Sequence, residues 1–302
     1  MNSSIFISLA SYRDPLLLNT IQSALDNSSG FNKIKFGIVI QDLEKNIPDL
    51  SNFNNCSTIT MHPRDAKGAG FARSEAMKLY NNEDYYLQID SHTVFEKNWD
   101  LICIDQLNIS KQIANNNKII LSCFPQPFYS ESNQKVSIIK NNKVQLPYPT
   151  KQKLKLNKQN QWTAERVELT NKDTPEESNT ILGGFIFAEG DIVNEIPYDP
   201  EIAFFGEEVC FAMRAWTRGW DIYSPSKIIT YHFYLRNGFN KIWKDSNIRK
   251  NSWKEVEKQS MEKQKRVLTG QEKGTYGYGN IRTLNDFELF TGFDFKNHYL
   301  QK

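Results

Sequence analysis

Short apolar runs alternate with amphipathic stretches through the first half of the chain. The apolar runs have the length of buried strands and cover residues 5–10, 34–40, 57–61, 85–89 and 118–124. Apolar positions at helical spacing predict helices over residues 15–26, 71–80 and 99–115. Asp14 is expected to cap the first of these helices, with Pro15 as its first residue. This alternation predicts an α/β fold with a mostly parallel sheet flanked by helices, Rossmann-like in arrangement.

The second half of the chain is less regular. Residues 130–180 are polar and rich in Lys, Asn and Gln, and we interpret them as an insertion with a hairpin that turns at Asn141 and Asn142. A last strand is predicted near the fourth one in space. The remaining elements are apolar segments at 181–200 and 204–220, the last strand at 228–236, a helix near 249–269, a loop rich in Gly and Tyr at 274–283, and a short final helix.

Composition narrows the classes of partner. The 37 basic and 35 acidic residues nearly cancel, which argues against a nucleic acid or a strongly charged membrane as partner. No apolar run approaches the roughly 20 residues that span a bilayer, and the N-terminus lacks the pattern of a signal peptide. The 4 scattered cysteines have no zinc spacing and are typical of reduced thiols. We therefore expect a cytoplasmic protein without a transmembrane segment.

The fourth apolar run ends in an unusual pair of polar residues. Asp90 follows it directly, and His92 comes two residues later, so both side chains are expected on one face just past a strand end. Asp42 follows the second run in the same way, and ligands bind beyond the carboxyl ends of strands in such sheets. A carboxylate with an imidazole suits Mn²⁺ or a similar cation. The alternative is that Asp90 caps a turn and His92 is an ordinary surface residue.

His232 is a candidate for a third metal ligand. It lies in the late apolar segment "TYHFY", which is predicted to be a strand. With Asp90 and His92 it would complete a site of one carboxylate and two imidazoles. The alternative is a core histidine with a satisfied hydrogen bond.

The segment "GAGFAR" at residues 68–73 permits two interpretations. Its glycines, with Asp90 further along the chain, resemble a dinucleotide-binding loop. However, Arg73 stands where that loop requires a small residue for close packing of helix and strand. A cation at this position could instead meet a diphosphate bidentately near the metal, or lie on a solvated helix face.

Glu207 and Glu208 begin the helical part of "FFGEEVCFAMRAW". Acidic residues at a helix N-terminus are stabilised by the helix dipole, which is a sufficient structural explanation. The preceding Gly206 and two phenylalanines are typical of a loop that approaches a ligand, and carboxylates there could hold sugar hydroxyls.

Several segments together resemble the polypeptide α-N-acetylglucosaminyltransferases, which add GlcNAc to Ser/Thr or hydroxyproline. The resemblance extends from about residue 5 to 295 and is weakest at 130–180. Mucin-type GalNAc-transferases are similar over a shorter stretch and also use Asp-x-His with a later histidine. The segments are "SLASYRDPLLLNTIQSAL", "GAGFARSEAMKLY", "YYLQIDSHTVFEKNWD", "GGFIFAEGDIV", "FFGEEVCFAMRAWTRGWDIYSP" and "YGYGNIRTLNDFELFTGFDF".

The resemblance implies a glycosyltransferase-A fold, a UDP-sugar donor (most readily UDP-GlcNAc), Mn²⁺ or Mg²⁺ as cofactor, and retention of the anomeric configuration. It implies transfer to a hydroxyl on a protein or glycan, with Glu207 and Glu208 near the transferred sugar or the acceptor and Arg73 facing the donor. Metal would be held by Asp90, His92 and His232. Further donor-binding residues would be Ala10, Tyr12, Arg13, Asp42, Ser91 and Gly184. The departing phosphate can take the acceptor proton, and a double displacement through a glutamate is the alternative.

The tail is expected to pack on the same domain. Residues 1–235 would form the catalytic domain, and residues 236–302 a helical tail with the Gly/Tyr loop. In that loop, Tyr276 and Arg282 are predicted to form a lid over the donor, because glycines allow motion and arginine can grip phosphate. A plain surface connection is the alternative.

Two other classes of function stay open from sequence. An NAD(P)-dependent oxidoreductase would use the glycine loop at residues 68–73, and a non-catalytic carbohydrate-binding protein would bind glycans without a nucleotide.

Overall fold

Strands and helices alternate over the first part of the chain in the computed structural model, which describes residues 2–132, 135–137, 149–235, 238–248, 250 and 252–300. The strands are β1 (Ser4–Tyr12), β2 (Lys33–Gln41), β3 (Cys56–Met61), β4 (Tyr85–Asp90), β5 (Thr93–Phe95), β6 (Ile119–Ser122), β7 (Gln126–Pro127), β8 (Tyr129–Ser132), β9 (Lys135–Ser137), β10 (Thr150–Leu156), β11 (Trp162–Glu168), β12 (Glu176–Glu177), β13 (Phe185–Glu189), β14 (Asp221–Ser224) and β15 (Thr230–His232). The helices are α1 (Leu17–Asn27), α2 (Ala69–Met77), α3 (Trp99–Ala114), α4 (Ile192–Glu195), α5 (Glu207–Thr217), α6 (Trp253–Leu268), α7 (Leu284–Thr291) and α8 (Phe295–Leu300).

The main sheet has eight strands in the order β12-β14-β6-β13-β4-β1-β2-β3. The strands β3, β2, β1, β4, β6 and β14 run in one direction, whereas β13 and β12 run against them. The predicted α/β fold with a mainly parallel sheet is therefore confirmed. Six strands consequently end at one edge of the sheet, which is where such folds bind ligands.

Alternating side chains of the strands build a hydrophobic core on each face of the sheet. Phe6 and Tyr86 point to one face, where they join a cluster with α5 and with the buried side chains of α6 and α7. Ile5, Ile7 and Leu87 point to the other face and pack with α1 and α3. Because strands buried on both faces need apolar residues at every position, their sequences are continuous apolar runs.

The late strand is shorter than predicted and belongs to another sheet. β15 contains three residues and pairs with β5 and β7 in a separate three-stranded sheet. The late strand lies near the end of the fourth, as predicted, since His232 Nε2 is 3.0 Å from Asp90 Oδ2. It does not pair with that strand, because the chain turns after β4 and β5 pairs with β15 instead. His232 is nevertheless paired with Thr93, next to His92.

The polar region at 130–180 contains an antiparallel hairpin of β10 and β11. Leu154 and Trp162 from this hairpin are buried in the main core, and β12 forms the edge of the main sheet. These elements therefore pack into the body of the domain. The hairpin predicted at Asn141 and Asn142 lies outside the described residues.

The first helix begins later than predicted. Helix α1 starts at Leu17, and the Asp14 carboxylate accepts a hydrogen bond from the Leu16 amide at 3.0 Å without capping the helix itself. The prediction that Asp14 caps a helix starting at Pro15 was therefore wrong. In the part of the chain that the structure describes, no helix has both the length and the apolar character needed to cross a bilayer.

Candidate functional site

A cavity of about 280 Å³ opens at the edge where the parallel strands end. Most of the residues predicted for donor, metal or sugar binding line this one cavity, although they come from six separate stretches of the chain. They are Ala10, Tyr12, Arg73, Asp90, Ser91, His92, Gly184, Glu207, Glu208 and His232. The strand ends explain this convergence, since β1 and β4 are neighbours and β13 begins beside the end of β4.

Asp90, His92 and His232 form a cluster suited to a metal ion. One ligand atom from each lies within 4.8 Å of the others. His232 Nε2 is 3.0 Å and His92 Nε2 is 4.0 Å from the same Asp90 oxygen, Oδ2. Burial would raise the pKa of Asp90, but His232 and Arg73 hold it well below its usual value, so the carboxylate is ionised. One carboxylate and two imidazoles suit divalent cations such as Mn²⁺.

Asp14 lies behind His92, on the side away from Asp90. Its Oδ2 is 2.6 Å from His92 Nδ1 and also accepts a hydrogen bond from the Ser91 hydroxyl at 2.9 Å. The Asp14 side chain is 3% exposed. From sequence, Asp14 was expected only to cap a helix, although it follows a parallel strand as Asp42 and Asp90 do.

Arg73 connects the carboxylate of Asp90 to that of Glu207 at the start of α5. Its Nη2 is 3.0 Å from Asp90 Oδ1, and its Nη1 donates to Glu207 Oε1 and, at 3.2 Å, to the Tyr198 hydroxyl. Gly183 makes room for the guanidinium, because a Cβ there would lie 2.3 Å from Arg73 Nη1. Arg73 is therefore a buried member of an ion-pair network and does not lie on a solvated helix face.

The two glutamates at the start of α5 have different surroundings. Burial raises the pKa of Glu207 to about 7, against the opposing effect of Arg73. Burial also raises the pKa of Glu208, whose Oε1 accepts a hydrogen bond from the Gly183 amide at 2.7 Å. Gly206 precedes them with φ +81, a conformation that glycine adopts readily. Both carboxylates line the cavity opposite the strand ends.

Arg13 and Asp42 lie next to this cavity, in an adjoining one of about 400 Å³. Arg13 is 3.6 Å from Asp42 and 2.5 Å from Asp245. The Tyr12 hydroxyl donates to the same Asp245 oxygen at 3.0 Å. Asp245 thus joins the segment 238–248 to the end of β1, and residues 240–243 of this segment line the main cavity.

The glycines of "GAGFAR" serve the packing of the chain. A Cβ on Gly68 would lie 2.3 Å from the Ala203 carbonyl oxygen, and one on Gly70 would lie 2.0 Å from that of Ile202. The Gly70 amide also donates to the Ala203 carbonyl at 3.3 Å. Close packing against these carbonyls explains both glycines, without any need for a dinucleotide-binding loop.

Tyr276 and Arg282 are not at the site. Arg282 Nη2 is 2.6 Å from Asp221 Oδ1, and Asp221 is the first residue of β14. Arg282 therefore lies at the edge where the parallel strands begin, opposite the edge that carries the cavity. The Tyr276 ring packs against Arg214 and Lys263. The lid prediction is not supported in this structure, because two arginines hold the loop. Arg214 of α5 donates to the carbonyl of Thr275 at 3.1 Å, and Arg218, directly after α5, donates to that of Gly277 at 2.8 Å.

Aromatic residues that the sequence analysis did not assign also line the cavity. Tyr234 and Phe124 lie on one wall, and Arg166 from β11 stacks on both of their rings. Phe204 and Trp243 lie on another wall, with ring centroids 5.0 Å apart. The only local signal for these residues was the pair of phenylalanines before Gly206.

The profile of the family described as glycosyltransferase (GlcNAc) matches residues 4–54 and 45–297, which together cover nearly the whole chain. The chain belongs to this family. Comparison with curated protein sequences gives no match.

The solved structure of GalNAc-T7 agrees with a glycosyltransferase-A fold. The chain is similar to GalNAc-T7, solved with UDP, GalNAc and Mn²⁺, at a TM-score of 0.59 and 14% identity, over 99% of this chain and 57% of that one. TarS residues 1–349 from S. aureus match at a TM-score of 0.47 and 15% identity, over 77% and 60% of the two chains. A complex of the same TarS fragment with UDP-GlcNAc matches at 0.47 and 16% identity, over 79% and 60%. The chain thus spans less than two thirds of the length of each of these proteins.

Proposed function

We propose that the protein is a metal-dependent, retaining glycosyltransferase that moves GlcNAc from UDP-GlcNAc to a hydroxyl of a protein or glycan. The observation that carries this proposal is the cluster of Asp90, His92 and His232 inside the cavity at the carboxyl ends of the strands, in a chain of the GlcNAc glycosyltransferase family. A more specific membership, in the polypeptide α-GlcNAc-transferases, rests on the sequence resemblance.

The donor set fits a divalent metal on its chemistry. Asp90 offers an ionised carboxylate, and the two histidines offer imidazole nitrogens, so Mn²⁺ and Mg²⁺ are the cations that we propose. A cation bound there would offset negative charge on the diphosphate leaving group. Arg73 already holds Asp90 Oδ1, which leaves Oδ2 facing both histidines.

The residues around the cluster suggest how a donor would lie. Ala10, Tyr12 and Ser91 line the side of the cavity formed by the ends of β1 and β4, where we place the nucleoside. Gly184 faces Asp90, and a Cβ there would lie 3.2 Å from Asp90 Oδ2, so a side chain would narrow this position. Glu207 and Glu208 lie opposite, where we place the transferred sugar.

The contacts of the glutamates favour front-face transfer over a double displacement. Glu207 is paired with Arg73, and Glu208 accepts the Gly183 amide, so both carboxylates already have partners that lower their nucleophilicity. In our proposal these residues orient sugar hydroxyls. The departing phosphate takes the acceptor proton.

Substitution of a metal ligand tests the proposal. We expect His232→Ala and Asp90→Ala to abolish UDP-sugar hydrolysis and transfer, and EDTA to do the same to the wild-type protein. In a panel of UDP-sugars with Mn²⁺, UDP-GlcNAc should be hydrolysed fastest, with UDP-GalNAc second. Hydrolysis is measured by the amount of UDP released. Acceptors are then screened by mass spectrometry.

Exposed His62 provides the matched control, since its side chain accepts only the Arg64 amide at 3.1 Å and lies outside the cavity. His62→Ala should retain wild-type activity. Full activity of the wild type in EDTA would disprove metal dependence, whereas a clear preference for UDP-glucose or a GDP-sugar would disprove only the donor assignment. Thermal stabilisation by NAD⁺ but not by UDP with Mn²⁺ would favour the oxidoreductase instead.

A further inference from the structure

Asp14 contacts His92 through a carboxylate that other hydrogen bonds hold in a fixed position. Asp14 Oδ2 lies 2.6 Å from His92 Nδ1, and two further donors hold the carboxylate in place: the Ser91 hydroxyl at 2.9 Å and the Leu16 amide at 3.0 Å. With its side chain 3% exposed, Asp14 has little contact with solvent. A carboxylate fixed on three sides in this way sets the rotation of the imidazole ring that it contacts.

The two nitrogens of His92 therefore have separate roles. Nδ1 faces Asp14, while Nε2 lies 4.0 Å from Asp90 Oδ2, on the side of the metal cluster. A carboxylate can only accept, so the proton of the neutral ring belongs on Nδ1. This tautomer leaves the lone pair of Nε2 available as a ligand, and the carboxylate behind the ring fixes the direction in which Nε2 points.

We propose that Asp14 is a positioning residue of the metal site, which holds His92 in the Nδ1–H tautomer and in the orientation that presents Nε2 to a divalent cation. The inference rests on the metal site of the proposed function. Asp14 lies next to the cluster without belonging to it, so its effect on the metal passes through His92. Loss of such partners commonly weakens metal affinity by about 10- to 100-fold.

The test uses the metal-free protein first. Long-range ¹H–¹⁵N spectra report the tautomer of each histidine in the ¹⁵N-labelled full chain, and His92→Gln identifies the His92 signals. We expect His92 to be the Nδ1–H tautomer in the wild type, and to lose this preference in Asp14→Ala. An Nε2–H tautomer in the wild type, or an unchanged tautomer in Asp14→Ala, would overturn the inference without any metal being present.

Affinity for Mn²⁺ alone, measured by the EPR signal of the free ion, is the second readout. Asp14→Ala should bind Mn²⁺ about 10- to 100-fold more weakly than the wild type. Asp14→Asn should fall between the two, since an amide oxygen can still accept from Nδ1–H but carries no charge. Asp26→Asn, at an exposed position of α1, should bind as the wild type does. Melting temperatures of the metal-free variants separate loss of fold from loss of binding.

The outcomes distinguish this inference from the proposed function. If the wild type and Asp14→Ala bind Mn²⁺ equally, the inference is wrong and the metal site stands. If the wild type does not bind Mn²⁺ at any concentration tested, the proposed metal site is wrong, and so is the inference that rests on it. A lower melting temperature of Asp14→Ala with wild-type Mn²⁺ affinity would show that Asp14 serves the fold alone.

Discussion

Arg73 is the residue on which the charges of the site depend. Its guanidinium holds Asp90 on one side and Glu207 on the other, within a network that is mostly buried. Removal of one partner of a buried pair leaves an uncompensated charge, which commonly costs about 3–5 kcal/mol. His232 and Arg73 together hold the pKa of Asp90 well below its usual value, whereas burial outweighs Arg73 at Glu207 and raises the pKa of that carboxyl.

Glu207 should make the stability of the metal-free protein depend on pH. Burial raises its pKa from 4.5 to about 7. Between these values the folded chain keeps a proton that the unfolded chain has released, so the free energy of unfolding falls as the pH rises through this window. Glu207→Gln cannot titrate. From pH 5 to pH 8 the wild type should therefore lose about 2–3 kcal/mol relative to this variant, at about 1.4 kcal/mol per pKa unit.

Urea unfolding of both proteins at pH 5 and pH 8 measures this difference. Glu262→Gln, at an exposed position of α6, controls for the loss of a carboxylate. Its stability should follow that of the wild type at both pH values. Equal changes in the wild type and Glu207→Gln would show that the Glu207 carboxyl is ionised throughout, and that Arg73 outweighs burial.

At the scale of elements, the sequence predicts those structural features that depend on residues close together in the chain. Buried strands were located by their apolar runs, and the rule that ligands lie beyond strand ends selected Asp90, which lines the cavity. The pairing of β15 with β5 joins residues far apart in the chain, so no local pattern reveals it. Asp14 was misassigned because Asp before Pro is also a common signal for a helix start. The tail loop packs at one edge of the sheet through contacts between residues far apart in the chain, so its position could not be predicted from sequence either.

The tail loop should contribute stability and leave donor binding unchanged. Arg282 pairs with Asp221 at 2.6 Å and lies 4.5 Å from the centre of the Trp216 ring. It also donates to the Trp216 carbonyl at 3.2 Å. We expect Arg282→Ala to lower the free energy of unfolding by about 1–3 kcal/mol, because partly buried acceptors lose their donor. The KM for the UDP-sugar should be unchanged.

Arg64→Ala is the matched control, since Arg64 is exposed and its guanidinium is 3.5 Å from the adjacent Asp65. It should alter the free energy of unfolding by less than about 0.5 kcal/mol. A raised KM in Arg282→Ala with an unchanged melting temperature would restore the lid that the sequence suggested.

At the scale of the whole molecule, one core connects the two proposed parts of the chain. Val267, Leu268 and Phe287 from the tail are fully buried in the same cluster as Phe6 and Tyr86 of the central strands. The cavity is also built from both parts, because residues 240–243 line it together with the strand ends. The tail and the sheet are therefore expected to unfold together.

A matched pair of leucines tests this cooperativity. Leu268 of α6 is 0% exposed, and Leu289 of α7 is 75% exposed. Leu268→Ala should lower the free energy of unfolding by about 2–5 kcal/mol, since it removes buried methyl groups and leaves a cavity. Leu289→Ala should change it by no more than about 0.5 kcal/mol. In urea, tryptophan fluorescence and far-ultraviolet circular dichroism should report one coincident transition, which Leu268→Ala moves as a whole. An early phase that alone responds to Leu268→Ala would instead mean that residues 236–302 unfold apart from the sheet, because the tail would then contribute little to the core that it contacts.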